Sequence, residues 1–365
     1  MPLIMKFRRF WAIFVFLVLL LPTIGFFAPD LPAPVRTVAA PEEEWWMKAS
    51  GRLDPYINNV FGFRGAVLAA HDTYGRWLGG GENERVLKGE NGALFIRDEW
   101  ALEQSIGQVI REQRVEDTVK LAGQMDQKAR AHGGTFVMSV PPNSQTVNPE
   151  NLPAYARDSR KSPTEYDLLA KALKDRGIHF VDLRETMAQA KKDGPVYRNN
   201  DTHWNWHGAL EAFNATMRGI GHPELAYDPK DVLGERYLRD DGDLVRLSGG
   251  TKADKPDVDF QPKGALLPKG NLKPLEGIAK PLEKPGPFPP QVFETGHAGP
   301  RIMVVGDSFT QNFWRGLLAD RSSAYVWIHH NSCGFDQGVI DRFKPDILIY
   351  APTERSFPCK PQHRP

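Results

Sequence analysis

One short cluster of this sequence has the residue types of a nucleophilic serine site. Gly306, Asp307 and Ser308 follow the apolar run 302–305 and precede a helical pattern. A serine on a strand-to-helix turn exposes its hydroxyl, and the helix N-terminus and nearby backbone N–H groups can stabilise an oxyanion. Gly306 permits a tight turn and the close approach of a substrate. Alone, the cluster is just as typical of an aspartate or serine that caps a helix.

A second cluster, residues 199–204, offers the base that such a serine needs. A serine hydroxyl is a poor nucleophile until a histidine accepts its proton, and a carboxylate must orient that histidine. Asp201 and His203 lie two residues apart, so both side chains point to the same side of an extended segment. A solvated loop before a helix is the alternative for this cluster alone. Together, the two clusters predict a triad of Ser308, His203 and Asp201.

A metal site is the competing chemistry at the second cluster. His203 and His207 are four residues apart, which suits one face of a helix, and Asp201 is close in sequence. The glutamate of an HExxH motif is missing, and no other cluster of ligands stands out. We therefore expect no metal and no cofactor.

Four further residues are candidates for substrate or oxyanion contacts. Asn331 follows an apolar run that ends near residue 329, and its side chain could donate to an oxyanion. Tyr350 and Arg355 follow the last predicted strand and could line a cleft, and Trp204 could stack on a sugar face. The alternatives are a turn asparagine, a core tyrosine, a surface arginine and a core tryptophan.

The elements around these clusters alternate between helix and strand. Gly89–Gly92, between two apolar runs, predicts a hairpin over residues 86–96. Beyond it, such alternation predicts an α/β sandwich with a parallel central sheet, whose sites lie at the carboxyl ends of the strands. The strands are expected over 135–140, 179–183, 301–305, 325–329 and 346–350, and the helices over 101–131, 163–176, 184–192, 207–219 and 308–320.

One region interrupts this alternation. Residues 223–300 are rich in Pro, Gly and Lys, which indicates a functional lid or a mobile insertion. The predicted organisation is an anchor over 1–30, a spacer and helical segment over 31–85, and a catalytic domain over 86–365 that contains the insertion.

The N-terminus predicts the compartment. Lys6, Arg8 and Arg9 precede an uncharged, mostly apolar stretch over residues 10–29, long enough to cross a bilayer as a helix. The positive charges favour a cytoplasmic N-terminus, which places the remaining chain in the periplasm, tethered to the inner membrane. A cleaved signal peptide is the alternative. In an oxidising compartment the two cysteines, Cys333 and Cys359, either form a disulfide or remain two buried thiols.

The composition excludes one class of partner. The chain has 46 basic and 45 acidic residues among 365, a formal charge of +1, so no overall charge attracts nucleic acid. It has no basic block or aromatic RNA-binding motif, and we expect no nucleic-acid partner.

The two clusters together resemble a known family. Asp-Thr-His-Trp-Asn-Trp-His-Gly-Ala from Asp201, followed by Val-Val-Gly-Asp-Ser-Phe up to Phe309, is similar to the AlgJ/AlgX family of alginate O-acetyltransferases, which are SGNH-hydrolase-like. The segments 86–95 and 140–143 are also similar. This resemblance implies Ser308 as nucleophile, His203 as base and Asp201 as its partner, in a permuted order with the serine last.

The resemblance also implies partners. It predicts acetyl transfer to an extracytoplasmic polysaccharide, with the acetyl group delivered by a membrane-bound O-acyltransferase and with other exopolysaccharide assembly proteins nearby. A carbohydrate esterase with the same triad and a non-catalytic subunit of a secretion complex remain the alternatives.

Overall fold

The computed structural model describes residues 10–11, 13–16, 85–264, 272–279 and 286–359. Residues 10–11 and 13–16 are helical, while the rest of the predicted anchor and the whole 31–84 segment lie outside the described residues. Within the described ranges, no helix combines the length and the apolar character that a membrane span needs.

The described part of the chain after residue 85 contains eleven strands and eleven α-helices. The strands are β1 (Val86–Lys88), β2 (Leu94–Ile96), β3 (Thr135–Ser139), β4 (Phe180–Val181), β5 (Leu233–Arg239), β6 (Asp257–Pro262), β7 (Lys273–Pro274), β8 (Gln291–Glu294), β9 (Arg301–Gly306), β10 (Ala324–His329) and β11 (Ile347–Ala351). The helices are α1 (Ala101–Ser105), α2 (Glu112–Ala131), α3 (Ser144–Val147), α4 (Ala154–Asp158), α5 (Glu165–Asp175), α6 (Leu183–Ala190), α7 (Trp206–Gly219), α8 (Pro229–Val232), α9 (Asp243–Leu247), α10 (Ser308–Arg321) and α11 (Gly338–Phe343).

A seven-stranded sheet forms the centre, in the order β4-β3-β11-β9-β10-β8-β7. The first five strands of this order run parallel to one another, as predicted; they are β4, β3, β11, β9 and β10. The prediction of a parallel sheet is wrong at one edge, because β8 runs antiparallel to β10 and β7 antiparallel to β8. Both of these strands come from the 223–300 insertion, so the sheet is mixed.

Helices cover the sheet on both faces, as expected for parallel strands that are apolar throughout. Alternate residues such as Val304 and Ile349 pack with α6, α7 and α10 in one core. Their neighbours, such as Met303 and Leu348, pack with α2, α5 and α11 in the other core. The result is a three-layer sandwich with β9 and β11 at its centre.

The local predictions outside the insertion are close to the structure. The 86–96 hairpin is confirmed, with Asn91 and Gly92 at positive φ in its turn. The helix expected over 101–131 is instead two helices, α1 and α2, which are separated by residues 106–111. Cys333 and Cys359 form a disulfide, with a Cα–Cα distance of 5.3 Å.

The insertion is more ordered than its composition indicates. Its described residues include α8, β5, α9, β6, β7 and β8. β5 and β6 pair as an antiparallel ribbon with a register irregularity between Leu233 and Arg236. Short, irregular strands whose partners are distant in sequence produce little periodicity, which is why the sequence pattern did not reveal them.

Candidate active site

Ser308 is the first residue of α10, directly after the carboxyl end of β9. Asp307 caps that helix by accepting the Phe309 N–H at 3.0 Å. A Cβ on Gly306 would stand 2.3 Å from Thr310 Oγ1, so any larger residue at 306 would require Thr310 or the backbone to move. The local sequence thus brings a serine hydroxyl to the sheet edge at a helix N-terminus.

His203 reaches this serine from the loop that precedes α7. Its Nε2 lies 2.8 Å from Ser308 Oγ. Its Nδ1 lies 2.6 Å from Asp201 Oδ1, and its backbone N–H donates to the same oxygen at 3.0 Å. A carboxylate, an imidazole and a hydroxyl therefore form one continuous chain of hydrogen bonds.

The Asp201 carboxyl is almost fully buried, and its surroundings favour the ionised form. Burial alone would raise its pKa, but the hydrogen bonds and charge of His203 and the charge of Arg198 outweigh burial. The pKa of Asp201 consequently lies far below its usual range. Arg198 Nη1 stands 3.6 Å from Asp201 Oδ2.

An aromatic wall limits the positions open to the imidazole. The His203 ring lies 4.9 Å from the Phe309 ring and 6.4 Å from the Phe313 ring, measured between centroids. Both phenylalanines belong to α10, the helix that begins with Ser308. The same helix therefore positions the serine and packs against the histidine.

A buried aspartate joins the serine turn to the segment after β11. Asp307 Oδ2 accepts the Thr353 backbone N–H at 2.8 Å and also bonds the Thr353 hydroxyl. Burial alone would raise the pKa of Asp307, but the charges of His330 and Arg355 and the Thr353 bonds hold it below its usual value. These bonds therefore fix the turn that carries Ser308 to the segment that follows β11.

Of the four additional candidates, Arg355 is the partly exposed one that lies close to the serine turn. Its guanidinium lies 5.4 Å from the centre of the Phe309 ring. Asn331 is exposed, and its Oδ1 lies 2.8 Å from His329 Nδ1. Its side chain pairs with this histidine at the end of β10.

Trp204 and Tyr350 do not line a cleft, because both side chains are fully buried. Trp204 donates its indole N–H to the Phe309 carbonyl and packs in the core beneath α10. The Tyr350 hydroxyl lies 3.4 Å from Cys333 Sγ in the opposite core. The roles in sugar stacking and cleft lining that the sequence indicated for them are therefore corrected to core packing.

Residues 86–338 match the family model described as "SGNH hydrolase-like domain, acetyltransferase AlgX". The chain belongs to this family. The matching domain type is that of an acyl-transferring enzyme, and both triad clusters lie within the matched residues.

Two curated relatives of the family are similar over part of their length. A probable alginate O-acetylase AlgJ from Pseudomonas aeruginosa is 31% identical over 128 residues, which are 34% of this chain and 30% of that protein. Its counterpart from Pseudomonas putida is 26% identical over 151 residues, 40% of this chain and 39% of that protein. The chain thus spans about a third of the length of these relatives.

A solved structure supports the fold independently. Bacillus cereus PatB1 superimposes with a TM-score of 0.53 at 14% identity, covering 75% of this chain and 97% of that one. At this identity the likeness concerns the fold alone. The chain has the SGNH-like α/β fold with a mixed sheet.

Sequence reasoning missed two residues that this member of the AlgX family places beside the triad. Arg198 forms a buried ion pair with Asp259 of β6 and stands next to Asp201. Asp243 of α9 lies with its Oδ2 3.7 Å from His203 Nδ1. Both contacts involve the insertion, and no local motif marked either residue.

His203 and His207, the two residues of the alternative metal site, do not come together in one cluster of ligand atoms. Within the described ranges, the group of ligand-type atoms that lie within 4.8 Å of one another comes from Asp201, His203 and Asp243. His207 points elsewhere, with its Nδ1 3.3 Å from the Pro195 carbonyl. His203 Nδ1 already bonds Asp201, and both Asp243 oxygens accept bonds from Thr202, so these atoms satisfy one another.

Proposed function

We propose that this protein is an O-acetyltransferase that acetylates hydroxyls of an extracytoplasmic polysaccharide, such as alginate, through Ser308, His203 and Asp201. The observation that carries the proposal is the unbroken chain of hydrogen bonds from Ser308 Oγ through His203 to Asp201. This is the arrangement that converts a serine hydroxyl into a nucleophile. Membership of an acetyltransferase family supports the acetyl group as the one transferred.

The first half-reaction acetylates the enzyme. Ser308 Oγ attacks the carbonyl carbon of the acetyl donor while its proton passes to His203 Nε2. Asp201 stabilises the imidazolium through Nδ1–H. The tetrahedral intermediate then collapses, and the proton on Nε2 passes to the departing group of the donor.

The oxyanion of this intermediate needs hydrogen-bond donors at the start of α10. The Phe309 N–H already donates to the Asp307 side chain. The backbone N–H of Ser308, at the first helical position, is our candidate donor, and the helix dipole adds partial positive charge there.

The second half-reaction transfers the acetyl group. His203 takes the proton of a sugar hydroxyl as its oxygen attacks the acetyl-serine carbonyl. The ester bond to Ser308 breaks, and the proton returns to Ser308 Oγ. Serine and histidine are regenerated, so this chemistry needs no cofactor.

The location and partners are part of the proposal. We place residues 1–30 as an anchor in the inner membrane, 31–85 as a spacer and 86–365 as the periplasmic catalytic domain. The Cys333–Cys359 disulfide supports an oxidising compartment. Acetyl-CoA is not available there, so a membrane-bound O-acyltransferase would supply the acetyl group alongside other exopolysaccharide assembly proteins.

The test uses the full-length chain purified in detergent and 4-nitrophenyl acetate as donor, with and without mannuronate or cellulose oligosaccharides. We expect ester cleavage and acetylated oligosaccharide from the wild type, and loss of both by about 10⁴-fold in Ser308→Ala. Ser248→Ala, whose hydroxyl bonds Val245 within the insertion, is the control and should match the wild type.

The outcomes separate the rival functions. Free acetate with no acetylated sugar would identify an esterase. No cleavage by the wild type would favour a non-catalytic subunit. Activity of Ser308→Ala within tenfold of the wild type would remove this serine from the mechanism.

A further inference from the structure

One turn of the insertion, the start of α9, contacts the base-bearing loop at several points. Asp243 Oδ1 accepts the Thr202 backbone N–H at 2.7 Å, and its Oδ2 accepts the Thr202 hydroxyl at 2.6 Å. The Asp243 N–H donates to Asp201 Oδ2 at 3.3 Å. The Leu244 N–H donates to the Asn200 carbonyl at 3.2 Å. Three consecutive residues of the loop are therefore held from one turn.

The Asp243 carboxylate makes no capping hydrogen bond in its own helix. α9 has Gly242 at its N-cap and no side-chain cap, although an aspartate at this end could favour its first turn. Both carboxylate oxygens instead bond Thr202, between Asp201 and His203. The side chain thus stabilises the loop rather than the helix that carries it.

The same carboxylate also lies near the imidazole. Asp243 Oδ2 is 3.7 Å from His203 Nδ1, too long for a hydrogen bond but within range of a strong charge interaction. Thr202 Oγ1 lies beside both atoms, 2.6 Å from Oδ2 and 3.3 Å from Nδ1. The Asp243 charge is only partly exposed, with 28% of its side chain accessible, so water screens it incompletely.

Several other groups contact the His203 imidazole or carry charge close to it. Asp201 bonds Nδ1 directly, Ser308 bonds Nε2, and rings of α10 pack against the imidazole. Arg198 is the cation behind this site, and it is shared between Asp201 and the buried Asp259. Asp243 therefore places a second carboxylate on the Nδ1 side.

We infer that Asp243 is a positioning residue for the proposed acetyl transfer, which locks the loop through Thr202 and supplies a second negative charge for the imidazolium. This inference rests on the proposed function. It assigns a catalytic purpose to the insertion, because α9 lies in the connection between its paired strands β5 and β6.

The test compares Asp243→Asn, Asp243→Glu and Asp240→Asn in the full-length chain in detergent. Asp240→Asn is the matched control, since it removes the same charge from the same segment at a surface ion pair with Lys252. The readouts are kcat and KM for 4-nitrophenyl acetate across pH 5 to 9, the labelling rate of Ser308 by a fluorophosphonate, and Tm.

We expect Asp243→Asn to lower kcat and the labelling rate by about ten- to a hundredfold, with KM within about twofold. Losing a carboxylate that favours the imidazolium should also move the acidic limb of the kcat profile to lower pH. Asp243→Glu, which keeps the charge, should recover part of the rate and the position of the limb. Asp240→Asn should match the wild type in every readout.

Two results would overturn the inference in different ways. The first is a reactive wild type in which Asp243→Asn has the same kcat and labelling rate as Asp240→Asn. The same conclusion follows if Asp243→Asn lowers kcat in parallel with Tm while the acidic limb of its pH profile stays in place. Either outcome would remove the positioning role of Asp243 and leave the proposed triad unaffected. A wild type that neither cleaves the ester nor labels Ser308 would overturn the proposed function and this inference together.

Discussion

Gly242 packs directly against the carbonyl of Asn200, so that a Cβ at residue 242 would stand only 1.8 Å from that oxygen. The contact joins the turn before α9 to the loop that carries Asp201 and His203. Backbone atoms form both sides of the contact, and neither can yield by a simple side-chain rotation. A displacement of the turn before α9 would therefore displace the loop that carries Asp201 and His203 as well.

Gly242→Ala should disrupt this contact. The added methyl group must displace the 200–203 loop or α9, and such overpacking typically costs about 1 to 3 kcal/mol. We expect ester cleavage to fall by at least about tenfold and Tm to fall by several degrees. Gly264→Ala is the control, because a Cβ at Gly264 meets nothing within 4 Å. Full activity and stability in Gly242→Ala would show that the loop tolerates displacement.

Glu354 should make stability depend on pH. Burial is the main cause that raises the pKa of its carboxyl to about 7 from 4.5, although Asn143 and Thr146 donate hydrogen bonds to it. Between these values the folded chain keeps a proton that the unfolded chain has lost. The contribution is therefore complete below pH 4.5 and is lost as the pH rises through 7.

The corresponding measurement is Tm from pH 4 to 8 for the wild type and Glu354→Gln. The wild-type Tm, relative to that of the variant, should decline by several degrees over this range. The exposed Glu185→Gln should follow the wild type throughout. Parallel curves for the wild type and Glu354→Gln would contradict the buried-carboxyl account.

Chelation should leave the activity unchanged. Asp201, His203 and Asp243 cluster closely, but hydrogen bonds to one another and to Thr202 occupy the atoms that would bind a metal. We expect EDTA dialysis to alter kcat/KM for the acetyl ester by less than about twofold. Activity that disappears with EDTA and returns with zinc would establish a metal role for this cluster.

Removing the disulfide should destabilise the C-terminal segment. Cys333 and Cys359 are 26 residues apart, and closing a loop of this size is worth about 3 to 4 kcal/mol in the chain-entropy model. The double variant Cys333→Ser/Cys359→Ser should unfold at a lower urea concentration, and reductant should shift only the wild type. Equal midpoints for the variant and the oxidised wild type would show that the bridge adds no stability.

The proposed topology has its own test. Lys6, Arg8 and Arg9 before the apolar 10–29 stretch should leave the chain beyond residue 30 in the periplasm and tethered. A β-lactamase fused after Pro365 should confer resistance, and the protein should remain with membranes until detergent is added. Soluble periplasmic protein with a new N-terminus near Ala28 or Ala40 would indicate cleavage. A fusion that works only in the cytoplasm would contradict both the location and the function.

Elements with local signals could be predicted from the amino-acid pattern alone. The apolar run of β9, the glycine at 306 and the polar pair Asp307 and Ser308 at the start of α10 predict a serine on a strand-to-helix turn within a dozen residues. The spacing of Asp201 and His203 is equally local, because hydrogen bonding between residues two apart depends on the backbone of one short loop. These patterns also located the parallel strands, whose apolar character reflects burial on both faces.

The distant groups that surround those residues are apparent only from the folded chain. Asp243 meets Thr202 across 41 positions and Asp259 meets Arg198 across 61, in a segment whose short strands carry no period. Trp204 and Tyr350 are adjacent to the motifs in sequence, yet packing buries both in the cores. Side-chain type and spacing specify local geometry, whereas contacts between remote segments depend on how the layers pack. For this reason the hydrogen-bonded grouping of Ser308, His203 and Asp201 could be predicted from the sequence, whereas the nearby carboxylates of Asp243 and Asp259 could not.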